Sequence, residues 1–184
     1  MLENYKNHVE ERLKQGIPPL PLNAEQVSDL VELLKSPPSG EEDYLLDLIT
    51  NRTPAGVDPA AYVKAAFLTA LAKDETSSPL IDRQHATKLL GTMLGGYNVE
   101  SLISLLEDDE VGSLAADGLS KTLLMFNAKH DVIELAKNND NAKRVVESWS
   151  DGEWFTSKPK LPEVIKAIVF RVDGEINTDD LSPA

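Results

Sequence analysis

The densest carboxylates in the chain form the run Glu107–Glu110, and a second acidic run covers Glu41–Asp43. Carboxylate oxygens bind hard cations, but a Ca²⁺ or Mg²⁺ site needs oxygens that converge from separated positions. Consecutive residues of a helix point in different directions instead. Each run also stands where a helix is predicted to begin, and negative charge there offsets the helix dipole. The two runs are therefore predicted to cap helices and to face solvent.

The histidines and serines have no spacing typical of a metal or nucleophile site. The histidines lie on different predicted helices, without another histidine or a cysteine three or four residues away. We expect isolated surface side chains at His8, His85 and His130. Four serines lack an adjacent histidine or the strained turn that activates a catalytic hydroxyl: Ser77, Ser78, Ser101 and Ser104.

Glycines and aromatic residues give weaker indications. A phosphate-binding glycine loop follows a strand, and no predicted strand precedes Gly91, Gly95 or Gly96. Aromatic side chains near the end of the helical region could stack nucleic-acid bases, but their acidic surroundings repel phosphate. They are predicted to close the end of the helical domain instead: Trp149, Trp154 and Phe155.

The composition limits the chemistry further. With 31 acidic against 18 basic residues, the net charge of the 184-residue chain is -13, which opposes binding to a phosphate backbone. The chain has no cysteine, so it can supply no thiolate to a metal or to an iron–sulfur cluster. No apolar run is long enough for a membrane helix, and Met1–Gln15 has no apolar signal core. We therefore expect a cytoplasmic protein that does not associate with membranes.

The positions of these residues depend on a series of predicted short helices that runs to about residue 156. Apolar residues recur at helical spacing, and start and stop residues interrupt the pattern. The predicted N-terminal caps are Asn23 with Gln26, Ser39 with Glu42, Asp58 before Pro59, Asp82, and Asp140. The predicted helix ends are Gly16, Pro37–Pro38 and Gly95–Gly96.

The predicted helices group into antiparallel pairs, because short connectors force neighbouring helices to pack side by side. The fold class is therefore all-α over residues 1–160. The pattern is similar to a degenerate α-solenoid of the HEAT type, in which helix pairs stack on one another. An irregular helical bundle is the alternative.

The character of the sequence changes near residue 160. A linker with two prolines covers residues 157–162, and Val164–Val172 is rich in β-branched residues and apolar on both faces. This composition is typical of a strand in the middle of a sheet. We predict a short β-strand that begins a truncated α/β domain over residues 161–184.

The last eleven residues form the most specific motif. Side-chain oxygens that can bond back to the local backbone and form tight turns follow the predicted strand: Asn177, Thr178, Asp179 and Asp180. Ser182 and Pro183 then fix the direction in which the chain leaves the turn. A turn of this kind would hold a loop at the edge of a sheet, so its predicted role is positional.

The string Gly174–Ala184 resembles the opening of the swivelling domain in the aconitase superfamily, where a glycine and an acidic residue precede Thr-Asp and a later Pro-Ala. The first 160 residues resemble the N-terminal region of the bacterial aconitase B family. The best-matching stretches are Leu30–Lys35, Leu46–Arg52, Leu89–Met93, Gly95–Asn98 and Thr122–Phe126. The resemblance covers the whole chain.

The resemblance implies a HEAT-like domain followed by the start of a swivelling domain. It also implies a parent enzyme of the tricarboxylic acid cycle, a lyase that interconverts citrate and isocitrate through cis-aconitate on a [4Fe–4S] cluster. The cluster needs three cysteines, and this chain has none. No catalytic, cofactor-binding or metal-binding residue is therefore assigned within it. The segment is expected to pack against the rest of the enzyme, a second copy or another metabolic enzyme, and to shape access to the active site.

A different reading stays open, in which the chain is a free-standing helical-repeat adaptor with no enzymatic parent. A reading frame that continues to a Cys…Cys-x-x-Cys set would favour the enzyme, and a stop codon soon after Ala184 would favour the adaptor. RNA binding is a weaker reading, because the basic residues are scattered among a larger number of acids.

Overall fold

A computed structural model describes residues 1–122, 128–157, 159–169, 171 and 174. The described residues form ten α-helices and no strand, which confirms the predicted all-α class. The helices are α1 Leu2–Lys14, α2 Ala24–Lys35, α3 Glu42–Asn51, α4 Pro59–Ala72, α5 Arg83–Gly91, α6 Val99–Leu105, α7 Gly112–Ser120, α8 Ala128–Leu135, α9 Asp140–Asp151 and α10 Glu153–Thr156. None of the helices in this described part has the length and apolarity that a membrane crossing needs.

The chain divides into two compact units. The helical unit covers residues 21–159 and contains α2 to α10. The terminal unit combines residues 1–20, which include α1, with residues from 160 onward. The domain boundary at residue 160 stays a prediction.

Three helix starts in the helical unit follow the sequence prediction. The backbone N–H of Gln26 donates to the side chain of Asn23 at 2.9 Å, and the N–H of Asn23 donates back to the Gln26 side chain. The carboxylate of Asp58 accepts from the Ala60 N–H at 2.7 Å, with Pro59 in the first turn of α4. The carboxylate of Asp82 accepts from the His85 N–H at 2.7 Å at the start of α5. All three starts are confirmed because the capping groups are local in sequence.

Three predicted boundaries are wrong. Ser39 does not cap α3, because Gly40 takes a left-handed conformation with φ of 87° and the helix begins only at Glu42. Asn139 caps α9 in place of Asp140, since its side chain accepts from the Ala142 N–H at 2.8 Å. Helix α5 ends at Gly91, before the predicted stop at Gly95–Gly96.

The helical unit is held together by a succession of helix contacts. Helix α4 packs on α2 and on α5, α7 packs on α5 and on α6, and α9 packs on α7 and on α8. The apolar stripes that meet in these contacts are almost fully excluded from water. Among the largest side chains buried there are Leu30, Leu34, Leu45, Leu48, Ile49, Leu68, Ile81, Leu90, Leu102 and Leu106. Each such side chain contributes about 1.5–3 kcal/mol by leaving water.

Helices α5 and α7 approach most closely at a pair of glycines. A Cβ built on Gly118 would lie 2.8 Å from the Cα of Gly91, and one on Gly91 would lie 3.0 Å from the Cα of Gly118. Neither backbone can move aside without shifting a whole helix. The two glycines therefore set the separation of the helices at this crossing.

In the terminal unit, three side chains of α1 bind the connector that follows it. Tyr5 donates its hydroxyl to the Leu20 carbonyl at 2.8 Å, and the Leu20 N–H donates to Nε2 of His8 at 3.0 Å. Arg12 donates Nε–H to the Pro18 carbonyl at 3.0 Å. The proline-rich connector has no regular secondary structure and is held against α1 by these hydrogen bonds.

The strand predicted for Val164–Val172 is not confirmed. Residues 164–169 have no regular secondary structure, and their apolar side chains are exposed. Phe170 and Val172 lie outside the described residues. A strand needs a neighbour to pair its backbone groups, and no partner strand occurs in the described part of the chain.

The glycine crossing generates a stability prediction. Gly118→Ala should lower the free energy of unfolding by about 1–3 kcal/mol, because its new methyl group meets the backbone of α5. The expected drop in melting temperature is several degrees. Ser120→Ala on the same helix is the control and should change the melting temperature little. An unchanged or higher melting temperature for Gly118→Ala would contradict this account, since alanine is the better helix former.

Candidate functional site

The run Glu107–Glu110 lies in the loop between α6 and α7, beside the start of α5. Asp108 pairs with Nη2 of Arg83, and Glu110 accepts from Nη1 of Arg83 at 2.7 Å. The Nε–H of Arg83 donates to the Ala72 carbonyl at 2.9 Å, at the end of α4. One guanidinium therefore joins three parts of the helical unit.

The second oxygen of Asp108 fixes the turn before α7. It accepts from the backbone N–H groups of Glu110 at 2.9 Å and Val111 at 3.0 Å. The predicted helix-capping role is not confirmed, because α7 has no side-chain cap and Asp108 binds the turn that precedes it. The pairing of Asp108 with Arg83 was not predicted. Desolvation of Asp108 by itself would raise the pKa of the carboxyl group, but the hydrogen bonds from Val111, Arg83 and Glu110 outweigh it and lower that pKa. The hydrogen bond to Asp108 is likewise the main cause that raises the pKa of Arg83.

The other acidic run, Glu41–Asp43, also serves a helix start. Glu42 and Asp43 lie in the first turn of α3, and the Glu42 carboxylate accepts from the Gly40 N–H at 2.8 Å. In the part of the chain that the structure describes, no three carboxylate or histidine side chains converge as a metal site would require. In the two runs, Glu42 and Asp108 bond to backbone N–H groups, and Asp108 and Glu110 pair with Arg83.

The histidines differ in their surroundings. His130 is exposed on α8, as predicted for an isolated surface side chain, and His85 is half-buried near the start of α5. His8 is instead engaged by the backbone of Leu20, and its ring lies 5.8 Å from that of Tyr5. The three histidines lie on three different helices.

The predicted serines fall into structural roles. Ser78 donates to the Leu34 carbonyl at 2.6 Å, and Ser104 donates to the Ser101 carbonyl at 2.8 Å. The Ser101 hydroxyl accepts from that of Thr69 at 2.7 Å, and Ser77 is exposed. None of these recorded bonds involves a histidine that could act as a general base.

The aromatic cluster is split by the structure. Trp149 donates its indole N–H to the Leu119 carbonyl at 3.0 Å and so ties α9 to α7. Trp154 and Phe155 stack edge to face with ring centroids 5.6 Å apart, and both remain exposed. The predicted closure of the helical domain therefore rests on Trp149.

The terminal motif, with Asn177, Thr178, Asp179, Asp180, Ser182 and Pro183, lies outside the described residues. Its predicted positional role stays a prediction.

Lys64 is a buried cation that sequence analysis missed. It lies on α4 with only 6% of its surface exposed, and its Nζ donates to the Thr50 carbonyl at 3.4 Å in the last turn of α3. Burial lowers the pKa of Lys64 to about 8. A carbonyl at a helix end attracts a cation, so the position of Lys64 is explained by the end of α3 rather than by a reaction.

Among the cavities formed by the described residues of the helical unit are two whose lining residues are mostly polar or charged. One, of about 300 Å³, opens between α7 and α9, and its guanidinium, that of Arg144, is already bound by Asp117 at 2.6 Å and by the Ser113 carbonyl. The other, of about 490 Å³, is lined by Glu107, Asp131 and Glu134 among others. Neither has the apolar lining with a few convergent polar groups that is typical of a ligand pocket.

The loops that follow α3 and α5 meet closely at Gly56 and Gly95. A Cβ on Gly95 would lie 2.3 Å from the carbonyl carbon of Gly56, and the two glycines have φ of 93° and 76°. Sequence analysis treated Gly95 only as a helix stop. The structure shows that it permits a contact between two loops 39 positions apart along the chain.

Comparison with known proteins shows the family to which this chain belongs. The family described as the aconitate B N-terminal domain matches residues 4–155. The chain belongs to the family of aconitate B N-terminal domains. Over its whole length it is similar to three proteins named aconitate hydratase B. It is 63% identical to that of Pseudomonas aeruginosa, 57% to that of Escherichia coli and 48% to that of Helicobacter pylori.

These relatives are much longer than this chain. The alignment covers 100% of this chain but 21% of the Pseudomonas and Escherichia proteins and 22% of the Helicobacter protein. The chain thus spans about a fifth of the length of the curated relatives it matches. The resemblance inferred from the sequence is confirmed at the level of the family.

The hydrogen bonds of Asp108 lead to a second prediction. Asp108→Ala should lower the free energy of unfolding at pH 7 by about 1–2 kcal/mol, because it removes a turn cap and a partner of Arg83. The pKa of Asp108 is lower in the folded chain than in the unfolded chain, where it is about 3.9. The stabilisation by the Asp108 carboxylate is therefore fully present above about pH 4 and is lost as the pH falls through the pKa of the folded chain. Urea unfolding at pH 7 and at about pH 3 measures the free energy of unfolding of both proteins. The difference between the unaltered protein and Asp108→Ala should be smaller at the acidic pH. Asp109→Ala, at an exposed neighbour, is the control, and an equal loss in both variants would contradict the assignment.

A third prediction concerns Lys64. The unfolded chain binds a proton to this lysine up to about pH 10.4, whereas the folded chain releases it near pH 8. Stability should therefore rise with pH between these values. Lys64→Met should flatten that rise and should increase the free energy of unfolding at pH 7 on the order of 1–3 kcal/mol. Lys88→Met, at an exposed position on α5, should change the melting temperature little. A destabilised Lys64→Met would show that the ammonium group stabilises the fold.

Proposed function

We propose that the chain is the non-catalytic N-terminal part of an aconitate hydratase, a hydro-lyase that interconverts citrate and isocitrate. The observation that carries the proposal is the alignment of the whole chain with about a fifth of proteins named aconitate hydratase B, at up to 63% identity. The geometry is in accord with it, because Ser78 and Ser104 donate to backbone carbonyls and Asp108 binds Arg83 and backbone N–H groups, so these candidate residues do not form a catalytic set.

The iron–sulfur cluster implied for such an enzyme does not fit this chain. A [4Fe–4S] cluster is held by cysteine thiolates, and the sequence contains none. The ligands of the cluster would therefore belong to another part of a longer, cytoplasmic polypeptide. No catalytic step is assigned to the residues of this chain.

Within this proposal, the helical unit is a HEAT-like solenoid and residues 161–184 begin a swivelling α/β domain. The succession of contacts from α2 to α4, α5, α7 and α9 supports the solenoid, since a repeat mainly contacts its neighbours in such folds. The exposed apolar side chains of residues 161–169 support the second part, because a central strand that lacks its sheet has both faces uncovered.

The role of the helical unit is to pack against other parts of the enzyme and to shape access to its active site. Helical repeats suit this role because they present extended surfaces for binding. The remainder of the parent enzyme is the first partner, and a second copy or another metabolic enzyme could share the same surfaces.

Turnover of citrate by two purified polypeptides tests the proposal. The polypeptide encoded by the whole reading frame and residues 1–184 alone are each reconstituted anaerobically with iron and sulfide. We expect isocitrate formation from the longer polypeptide and none from residues 1–184. Turnover by residues 1–184 would contradict the non-catalytic role. A reading frame that stops soon after Ala184 would contradict the enzyme and favour a free-standing adaptor.

A further inference from the structure

We propose that an exposed apolar surface on the loops after α3 and α5 is the docking site for a later segment of the same, longer polypeptide. This surface, the loop patch, consists of Val57 and Leu94 on the two loops, Tyr62 in the first turn of α4 and the half-buried Tyr97 beside it. The proposal rests on the proposed function, because it requires a chain that continues beyond residue 184.

The loop patch contains large apolar side chains that are exposed to solvent. Val57 is 73% exposed, Leu94 69% and Tyr62 61%. Single exposed apolar residues are common on protein surfaces. A group of them on adjoining loops is less common and marks a surface that binds something.

The loops that carry the patch are fixed to each other. The backbones of Gly56 and Gly95 are too close to admit a side chain on Gly95. The Tyr97 hydroxyl donates to the Val57 carbonyl at 3.0 Å, and the ring of Tyr97 lies edge to face with that of Tyr62 at 5.4 Å. Each of these contacts joins the loop after α5 to the loop after α3 or to the first turns of α4.

The buried side-chain amide of Asn98 holds the loop that carries Leu94. The side chain of Asn98 is 1% exposed, and its Nδ2 donates to the Leu90 carbonyl at 2.7 Å and to the Met93 carbonyl at 3.3 Å. These bonds fix the segment that carries Leu94 to the end of α5. The exposed side chains are therefore presented by an ordered backbone, and an ordered site loses less conformational entropy when it binds.

The size of the patch indicates what kind of segment covers it. A stable complex between separate proteins buries about 800 Å² on each partner. Four side chains cannot provide that area, so a second copy or a separate protein would bind too weakly through this patch alone. A segment of the same polypeptide needs less area, because the linkage raises its effective concentration.

The relatives supply such a segment. This chain spans 21% of the Pseudomonas relative, so about four fifths of that protein lies outside it. We therefore assign the patch to apolar side chains from a part of the polypeptide after residue 184, which would cover Val57, Tyr62 and Leu94.

Backbone hydrogen exchange tests the assignment in the longer polypeptide and in residues 1–184. The amides of residues 55–58, 60–62 and 92–97 should exchange about tenfold more slowly in the longer polypeptide, since the opening that exposes them would also have to uncover at least one buried Leu or Val side chain. Leu94→Asp should abolish this difference. In residues 1–184 the same substitution should shift the melting temperature by less than about 2 °C, as expected for an exposed position.

Ile133→Asp is the matched control, because Ile133 is an exposed apolar residue on α8, outside the patch. It should leave the protection of the two loops unchanged. Equal exchange in both polypeptides, or an equal effect of Ile133→Asp, would overturn the assignment. Concentration-dependent association of residues 1–184 that Leu94→Asp removes would also overturn it, because the patch would then bind a second copy.

The outcomes separate this inference from the proposed function. A longer polypeptide that turns over citrate but leaves both loops unprotected overturns the docking site alone. The absence of any polypeptide longer than residues 1–184 overturns both.

Discussion

The contact between α5 and α7 is the constraint on which the rest of the helical unit depends. Gly91 and Gly118 bring the two backbones to a separation that excludes a side chain. At the other end of α5, Arg83 binds Asp108 in the loop that leads into α7. Helix α4 packs on α5 and α9 packs on α7, so this one crossing aligns the earlier helices with the later ones. Because protein interiors are closely packed, a shift at the crossing would be transmitted in both directions.

The helices could be predicted from the sequence where local interactions decide them. Asn23 and Gln26 satisfy each other's backbone, and Asp58 with Pro59 starts α4 without help from the rest of the fold. Ser39 misled the prediction because Gly40 turns the chain before a helix can begin. The pair of Arg83 with Asp108 spans 25 positions, so it depends on how α4 to α7 pack and has no signature in the local sequence.

The functional conclusions also differ in whether they could be drawn from the sequence or needed the packed structure. The terminal string from Gly174 and the helical pattern together indicated the family from the sequence, and the absence of cysteine excluded a cluster site in this chain. The loop patch could not be predicted, because Val57 and Leu94 are distant in the sequence and are brought near each other by the contact of Gly56 with Gly95. A glycine that ends a helix and a glycine that admits another backbone look the same in a sequence. In the helical unit, Asp58, Asp108 and Ser78 bond to backbone groups at helix ends and turns.

The central claim is that residues 21–159 contribute packing surfaces and no catalytic group. The most direct measurement is a crystal structure of the longer polypeptide with citrate or isocitrate bound. The account predicts that no side chain of residues 21–159 lies within hydrogen-bonding distance of the substrate, and that Val164–Val172 pairs with strands that follow residue 184. A side chain from residues 21–159 bound directly to the substrate would contradict the claim.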